Sequence, residues 1–490
     1  MRKIKLIALV VVISCGSLFA VTTKFTTIGS VNPAMANLSD NYLVYLPLIR
    51  NGYRIIQSTI FGVETYNMNG DKPARINESG ASWLRLNRLF WSEVEAEEGV
   101  YNWNTMANLE QDLIRASQNG LEVILIVRST PLWAQKYNHL NTDPPTDFYC
   151  GPIKQEKLDA FGDFMWAAVD RYSKPPFNVK YWQIWNEPDA AWNFFYDWPT
   201  PPFGCWGEYK DDNDYGGGYY ADMLKVVYPR IKQADDKAQV VLGGLLLSCP
   251  PAAPDPCAWQ ADFLEGILDS GGKNFFDFVG IHAYDYYYKS YGQFGNSGWS
   301  SLWNIDGPVH IKKAQFIRSV LDKYNASDKE IMLLELSLIC SYDDTHPSCT
   351  PGADPDFEIT QAMYVAKAYA TSLSEGYHTS IWYDLNGGWE NSSLLFSDLS
   401  YKDAFVAYKT ARDSLRDASY EDSFENSGVK IYEFDRGDRF IWVMWSKNGT
   451  TQEIDLPDTP LATWDYLNNP VSVTGSTMQV GMKPTYLEFP

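Results

Sequence analysis

The chain has 490 residues, of which 45% are hydrophobic and 15% aromatic. This composition excludes a disordered protein and is enough for one large domain and a smaller one. The formal net charge is −21, from 40 basic and 61 acidic residues, so neither nucleic acid nor an anionic membrane surface is expected as a partner.

The N-terminus has the pattern of an export signal. Its first five residues include three basic ones, and an apolar stretch follows that is too short and too early for a stable membrane span. Cleavage after Ala20, or at the "AMA" segment of residues 34–36, predicts a secreted protein. In the alternative, Cys15 lies in a weak lipobox and carries a lipid anchor, which is the only membrane association that we expect.

From residue 60 to about residue 417, apolar strand-like segments alternate with segments of helical periodicity. The strand-like segments are 62–67, 82–87, 121–127, 181–186, 240–245, 278–284, 331–337 and 379–385. Continuous apolar strands separated by helices are typical of a parallel sheet with a covered outer face. Eight such units predict an α/β fold, a (β/α)8 TIM barrel. No G-x-G-x-x-G motif follows a strand, which argues against an open dinucleotide-binding sheet.

After Leu415 the pattern changes to short alternating segments such as 429–434, 440–445 and 485–490, separated by turn residues. Such segments predict a small antiparallel β domain. We therefore expect a signal peptide and disordered lead-in over 1–36, a catalytic barrel over 37–420, and a β-sandwich-like accessory domain over 421–490.

Six cysteines follow Cys15, and an even number in an oxidising compartment favours disulfides over metal ligation. Positions 249 and 257, and positions 340 and 349, are close enough in sequence to close short loops, which leaves 150 and 205 for a third bridge. Free buried thiols are the alternative. With five histidines, none spaced i, i+4, we expect no metal site and no cofactor. The six are Cys150, Cys205, Cys249, Cys257, Cys340 and Cys349.

Two glutamates end strand-like segments. The segment "YWQIWNEP" finishes on Asn186 and Glu187, and Glu335 lies near the end of the seventh strand. In a TIM barrel both strand ends meet on the face where active sites are built. Hydrolysis of a glycosidic bond by double displacement needs such a pair, because one carboxylic acid protonates the leaving oxygen while one carboxylate attacks the sugar carbon. Carboxyl groups roughly 5 to 5.5 Å apart retain the configuration of the sugar.

Several motifs resemble the clan A glycoside hydrolases, and family 39 in particular, over about residues 60 to 420. In chain order they are "LRLNRLFWSEVEAEEGVYNW", "TPLWA", "WNEPD", "HAY", "ELS" and "IWYDL". The resemblance extends to the small C-terminal β domain. It implies a retaining hydrolase that acts on β-linked oligo- or polysaccharides and needs no cofactor.

The resemblance also implies a role for each matching residue. Glu187 is expected to be the acid/base, Glu335 the nucleophile, and Asn186 the partner of the sugar 2-hydroxyl. Trp382 is expected to form an aromatic platform on which a sugar ring stacks. The remaining substrate-binding residues implied are Arg85, His282 and Tyr284. Tyrosine and tryptophan in the loops 191–206, 284–303 and 387–390 are further platform candidates, or pack the loops on each other.

Two features depart from the family pattern. Leu334 and Leu336 flank Glu335, where the family usually has a hydroxyl residue before the nucleophile and an aromatic residue after it. Arg88 competes with Arg85, because a bulge in that strand would exchange them. If the leucines turn Glu335 into the core, the alternative is a catalytically inactive carbohydrate-binding barrel. A serine hydrolase is disfavoured because no G-x-S-x-G elbow follows a strand.

Overall fold

The computed structural model describes residues 10–14, 17–21, 59–136, 151–190, 203–207, 215–253, 257–296, 303, 307–340 and 350–490. The chain divides into two compact units, Met1–Leu48 and Ile49–Pro490. In the first unit, Val10–Ser14 and Ser17–Val21 pair as an antiparallel hairpin. Cys15 and residues 34–36 lie outside the described residues, and the export signal and lipid anchor stay predictions.

In the second unit, eight parallel strands close into a barrel. Each strand pairs with the next, and the eighth pairs with the first, so the barrel has no open edge. A short strand, Phe294–Gly295, runs antiparallel to the sixth. The predicted TIM barrel is therefore confirmed. The strands are β1 (Phe61–Glu64), β2 (Trp83–Phe90), β3 (Glu122–Arg128), β4 (Tyr181–Ile184), β5 (Gln239–Leu242), β6 (Phe278–Tyr287), β7 (Glu330–Ile339) and β8 (Ser380–Trp382).

A helix follows each strand and covers the outer face of the barrel. Outward strand residues such as Val123, Leu125 and Val127 pack with the buried faces of these helices in one apolar core. In the described ranges no helix is both long and apolar enough to cross a membrane. The helices are α1 (Lys72–Ser79), α2 (Ala107–Gln118), α3 (Leu158–Tyr172), α4 (Gly217–Ala234), α5 (Asp262–Asp269), α6 (His310–Lys323), α7 (Pro355–Ser374) and α8 (Asp403–Leu415), with an extra turn at Trp91–Val94.

An apolar layer closes the barrel interior beneath the C-terminal strand ends. Glycines make room for it: a Cβ on Gly62 would lie 2.3 Å from Ile381 Cδ1, and one on Gly280 would lie 2.4 Å from Leu334 Cδ1. On β1, β2, β4 and β6 the next inward positions toward the C-terminal ends are polar, and the candidate site therefore has an apolar floor. These polar residues are Glu64, Arg85, Gln183 and His282. The layer contains Trp83, Ile124, Tyr181, Val241, Phe278, Met332, Leu334 and Ile381.

An irregularity in β7 decides where Glu335 points. Leu333 pairs with Ile281 and Glu335 pairs with His282, which leaves Leu334 as an extra residue in β7. Leu334 belongs to the interior layer, so strict alternation would turn Glu335 outward toward the helices. The bulge removes this conflict. The leucines on either side therefore do not draw Glu335 into the core.

The residues after α8 form the antiparallel β domain that the alternating pattern predicts. Its five-stranded sheet has the order β9-β10-β11-β15-β13, and β12 pairs with β14 in a second sheet. Trp464 donates from Nε1 to Ser414 Oγ of α8 at 3.1 Å, which ties the domain to the barrel. The strands are β9 (Ser419–Asn426), β10 (Val429–Asp435), β11 (Phe440–Ser446), β12 (Gln452–Asp455), β13 (Ala462–Asp465), β14 (Thr477–Val480) and β15 (Thr485–Phe489).

We expect Leu334→Ala to lower the free energy of unfolding by about 2 to 5 kcal/mol, because it leaves a cavity in the interior layer. Denaturant unfolding followed by tryptophan fluorescence measures this. Leu461→Ala is the matched control, since Leu461 is 57% exposed and its truncation should change stability by less than about 0.5 kcal/mol. Equal effects of the two substitutions would contradict the layer's role.

Candidate active site

Arg85, on the inner face of β2, is the centre of a buried polar network. Its Nη1 donates to a carboxyl oxygen of Glu64 and, at 2.5 Å, to Glu335 Oε1. Its Nε donates to Gln183 Oε1 at 2.9 Å, and its Nη2 donates to Asn186 Oδ1 at 2.7 Å. The side chain is fully buried. One guanidinium thus holds side chains from β1, β4 and β7 and from the turn after β4.

Arg88 does not take this place. The register of β2 against β3 shifts between Leu86 and Leu89, and this shift lies beyond Arg85. Arg88 instead donates to the Tyr66 carbonyl at 2.9 Å, with its guanidinium 4.6 Å from the centre of the Tyr66 ring. The ambiguity between the two arginines is resolved in favour of Arg85 as the one beside Glu335.

Glu335 is surrounded by donors. Besides Arg85, the hydroxyl of Tyr284 donates to Glu335 Oε2, and His282 Nδ1 lies 3.3 Å from the same oxygen. A guanidinium and a phenol at these positions stabilise negative charge on the carboxylate. Glu335 therefore has the surroundings of an ionised group, as a nucleophile requires.

Glu187 follows β4 in a tight turn, in which Trp185 and Glu187 have φ values of 73° and 49°. Its backbone N–H donates to Gly243 O at 2.8 Å. Asp189 accepts from the backbone N–H groups of Leu246 and Leu247, each at 2.8 Å. These bonds tie the turn to the end of β5 and the residues after it, so the strained backbone is held and the carboxyl group is kept over the barrel mouth.

The surroundings of Glu187 differ from those of Glu335. Burial raises the pKa of Glu187 well above its usual value, and the negative charge of Glu335 raises it further. Arg85 acts in the opposite direction through its positive charge. A carboxyl group whose pKa is raised in this way is suited to general acid catalysis.

His282 connects the two carboxyl groups. Its Nδ1 lies 2.7 Å from Glu187 Oε1, and its Nε2 lies 3.3 Å from Nη2 of Arg85. Burial, helped by the positive charge of Arg85, lowers the pKa of His282 well below its usual value, so the ring is neutral. Because Arg85 can only donate, Nε2 accepts and Nδ1 carries the hydrogen that faces Glu187.

The carboxyl groups of Glu187 and Glu335 are close together. One oxygen of each and a ring nitrogen of His282 lie within 4.8 Å of one another. This spacing is near the roughly 5 to 5.5 Å of retaining glycosidases and below the inverting range of about 6.5 to 9.5 Å. Carboxylates and imidazole also ligate divalent metals. Here the guanidinium of Arg85 already contacts both Glu335 and the His282 ring, and its charge opposes a cation between them.

Trp382 is fully buried in the structure. Its Nε1 donates to the Ser392 carbonyl at 2.9 Å, and the ring has no exposed face. Its stacking role stays a prediction that this arrangement does not support. Trp389, in the 387–390 loop, is 38% exposed, and its ring lies edge-on to Tyr284 with centroids 5.9 Å apart. Of the two tryptophans, Trp389 is therefore better placed than Trp382 to offer a ring face to a sugar.

Two further residues, Glu64 and Gln183, complete the network around Arg85, and no sequence motif indicated them. The alternation of inward and outward residues along a strand was the signal that could have identified them. Both residues occupy inward positions of their strands, and the neighbouring inward positions line the barrel interior. Burial raises the pKa of Glu64 to about 8; Arg85 opposes this shift and the charge of Glu335 adds to it. The site thus contains a third carboxyl group beside the two predicted ones.

The six cysteines bear on the loops around this face. Cys205, Cys249 and Cys340 are buried and disulfide-bonded. Cys150, Cys349 and the side chain of Cys257 lie outside the described residues. The three pairings therefore stay predictions, as do the aromatic platforms between residues 191 and 202.

No protein-family model and no curated protein matches this chain. Solved structures share its fold at low sequence identity. A family 39 glycoside hydrolase from Bacteroides cellulosilyticus WH2 is 20% identical, with a TM-score of 0.63 over 88% of this chain and 81% of that one. A GH30 endoxylanase from Clostridium papyrosolvens C71 is 14% identical, with a TM-score of 0.55 over 89% and 97%. A conserved exported protein from Bacteroides fragilis is 13% identical, with a TM-score of 0.58 over 89% and 98%. These likenesses confirm the fold that the resemblance implied.

We expect Glu64→Gln to flatten the pH dependence of stability. The folded-state pKa of Glu64 is about 8 against 4.5 for an ordinary glutamate, so the folded wild type binds the extra proton and loses stability as pH rises through this window. Relative to wild type, the variant should gain stability between about pH 5 and about pH 8. Urea unfolding at both values measures this, with the exposed Glu156→Gln as control. Parallel pH profiles would contradict the expectation.

Proposed function

We propose that the chain is a secreted retaining glycoside hydrolase that cleaves O-glycosidic bonds of β-linked glycans by double displacement. The observation that carries the proposal is the pair Glu187 and Glu335. One carboxyl oxygen of each lies within 4.8 Å of one of the other, and the surroundings of the two groups differ in the sense that an acid and a nucleophile require. The fold shared with glycoside hydrolases supports the reaction class.

In the first step, Glu335 attacks the anomeric carbon while Glu187 gives its proton to the leaving oxygen. The bond to Glu335 removes the charge of this carboxylate. Because that charge is one of the causes that raise the pKa of Glu187, the pKa of Glu187 falls once the intermediate has formed. Glu187 then accepts a proton from the water that breaks the glycosyl ester.

Asn186 and Tyr284 are placed to assist. Asn186 Oδ1 accepts from Arg85 at 2.7 Å, which orients the amide so that its two N–H donors remain for a sugar hydroxyl. Tyr284 donates to Glu335 Oε2 and is positioned to keep the attacking carboxylate in one rotamer. Arg85 positions the same carboxylate from the other side. We infer that these three residues orient substrate and nucleophile.

Secretion and polysaccharide breakdown belong to the same proposal. The basic and apolar N-terminal pattern supports export, as does the fold likeness to a conserved exported protein.

The inactive carbohydrate-binding barrel remains the second candidate, because sequence identity to the solved enzymes is low. The condition that favoured it, Glu335 turned into the core, is not met, since the bulge in β7 directs this residue to the barrel mouth.

We expect Glu187→Gln to reduce hydrolysis of glycosides with poor leaving groups by about 10² to 10⁴-fold. Activated aryl glycosides should still form the glycosyl-enzyme, because their leaving groups need no proton. Rates on a panel of aryl β-glycosides and β-linked polysaccharides measure both effects, with Glu156→Gln as the matched control. Equal losses on both kinds of substrate would count against the acid role.

We expect Glu335→Ala to abolish turnover of the same panel, because no nucleophile remains. Added azide should restore cleavage of activated glycosides and give a glycosyl azide of inverted configuration, which NMR identifies. Activity of this variant at the wild-type level would refute the nucleophile assignment. If the wild type is silent across the panel but binds the polysaccharides, the inactive barrel is favoured.

A further inference from the structure

Arg128 is the last residue of β3 and faces the barrel mouth. Val123, Leu125 and Val127 point outward into the helix-covered core, and Ile124 points into the interior layer. Position 128 shares the inward side with positions 124 and 126, two levels above Ile124 of the apolar floor. Its Nε donates to Asn87 Oδ1 at 2.7 Å, and its guanidinium lies 4.6 Å from the centre of the Phe90 ring.

In the part of the chain that the structure describes, no carboxylate pairs with this guanidinium. Apart from Asn87 and Phe90, its contact within the described residues is a 3.4 Å hydrogen bond to Ser129 Oγ. Glu93 and Glu64 act on it through charge alone, without forming an ion pair, and the positive charge of Arg85 opposes them. Burial lowers the pKa of Arg128 to about 10, yet the group stays protonated at neutral pH. Its charge is therefore partly desolvated and uncompensated.

Arg88 is a second cation of this kind on the neighbouring strand. It binds the carbonyl and the ring face of Tyr66, and in the described part of the chain it forms no ion pair. Tyr66 is 69% exposed and lies near enough to Arg128 to act on its charge. Two uncompensated arginines thus stand at the C-terminal ends of β2 and β3, in a chain of net charge −21.

The two arginines, Arg88 and Arg128, are not explained by a need to neutralise the acidic groups of the candidate site. Arg85 already binds both Glu64 and Glu335 directly, whereas Arg128 contacts neither. A partly buried charge is costly unless an opposite charge meets it. The guanidinium fork matches planar or tetrahedral oxyanions, which it binds through paired hydrogen bonds. A carboxylate or sulfate carried by the substrate would supply the missing partner.

We propose that Arg128, assisted by Arg88, binds an anionic substituent of the glycan, so that the substrates of this chain are acidic saccharides bearing a carboxylate or a sulfate. The inference rests on the proposed glycosidase function and names its substrate class. It makes β2 and β3 the side of the barrel mouth that selects for charge, while Glu187 and Glu335 supply the chemistry.

Calorimetric binding of simple sugars tests this independently of turnover. The probes are glucuronate, galacturonate and the 6-sulfates of glucose and galactose, each compared with its neutral parent sugar. At least one acidic probe should bind the wild type about 10 to 100-fold more tightly than its parent. Arg128→Gln should remove this preference and leave neutral binding unchanged. A preference for the uronates alone identifies the anionic substituent as a carboxylate, and a preference for the 6-sulfates alone identifies it as a sulfate.

Arg230→Gln is the matched control, because Arg230 lies on α4 and pairs with Asp163 on the outer surface. It should keep the full preference. Should Arg128→Gln fail to fold, as its melting temperature shows, Arg88→Gln should lower the preference several-fold and Arg128→Lys should retain part of it. Equal affinity for acidic and neutral probes, or a preference that survives these substitutions, would overturn the inference.

Hydrolysis measured in parallel keeps the two proposals distinct. Cleavage of 4-nitrophenyl β-glucoside without any preference for acidic probes leaves the glycosidase in place and removes the anionic substrate class. Binding of acidic probes that depends on Arg128, in a protein that hydrolyses neither the neutral aryl glycosides nor 4-nitrophenyl β-glucuronide, supports the anion site and counts against the catalytic proposal instead.

Discussion

The arrangement of the site depends on the ion pairs of one buried guanidinium. Arg85 binds Glu64 and Glu335 through one nitrogen and Asn186 through another, so three strand ends are held in a fixed relation. Taking these charges out of water is costly, and only their mutual contacts offset the cost. Removing the guanidinium would leave the carboxyl groups of Glu64 and Glu335 facing each other over an apolar floor, and neither the position of Glu335 nor its charge would be maintained.

Electrostatics also separates the carboxyl groups of Glu187 and Glu335. Glu335 has the guanidinium and a phenol as donors, whereas Glu187 has a neutral imidazole and the repulsion of Glu335. In the mechanism that we propose, this repulsion disappears when Glu335 forms a covalent bond, so the same geometry would serve both halves of a double displacement. The neutral state of His282 matters here, because a charged ring would favour ionisation of both carboxyl groups at once.

Departures from regular strand geometry place the side chains of the candidate site where regular strands would not. The extra residue in β7 lets Leu334 fill the interior layer while Glu335 stays at the mouth. The shift in β2 comes after Arg85 and leaves Arg88 on the rim with Tyr66. The turn after β4, with two left-handed residues, carries Glu187 beyond the end of its strand. In each case a local departure from alternation is held by tertiary contacts.

The sequence by itself determined the barrel, the C-terminal β domain, the strands that carry Arg85, His282 and Glu335, and the segment after the fourth strand that carries Glu187, because hydrophobic periodicity and chain order are local properties. It did not reveal Glu64 or Gln183, whose importance arises only from contact with Arg85, up to 98 positions away in the chain. Nor could it show that Trp382 is buried or that, among the described residues, Arg128 pairs with no acidic group. Burial, charge compensation and strand register are set by residues distant in sequence, so only the tertiary structure decided them.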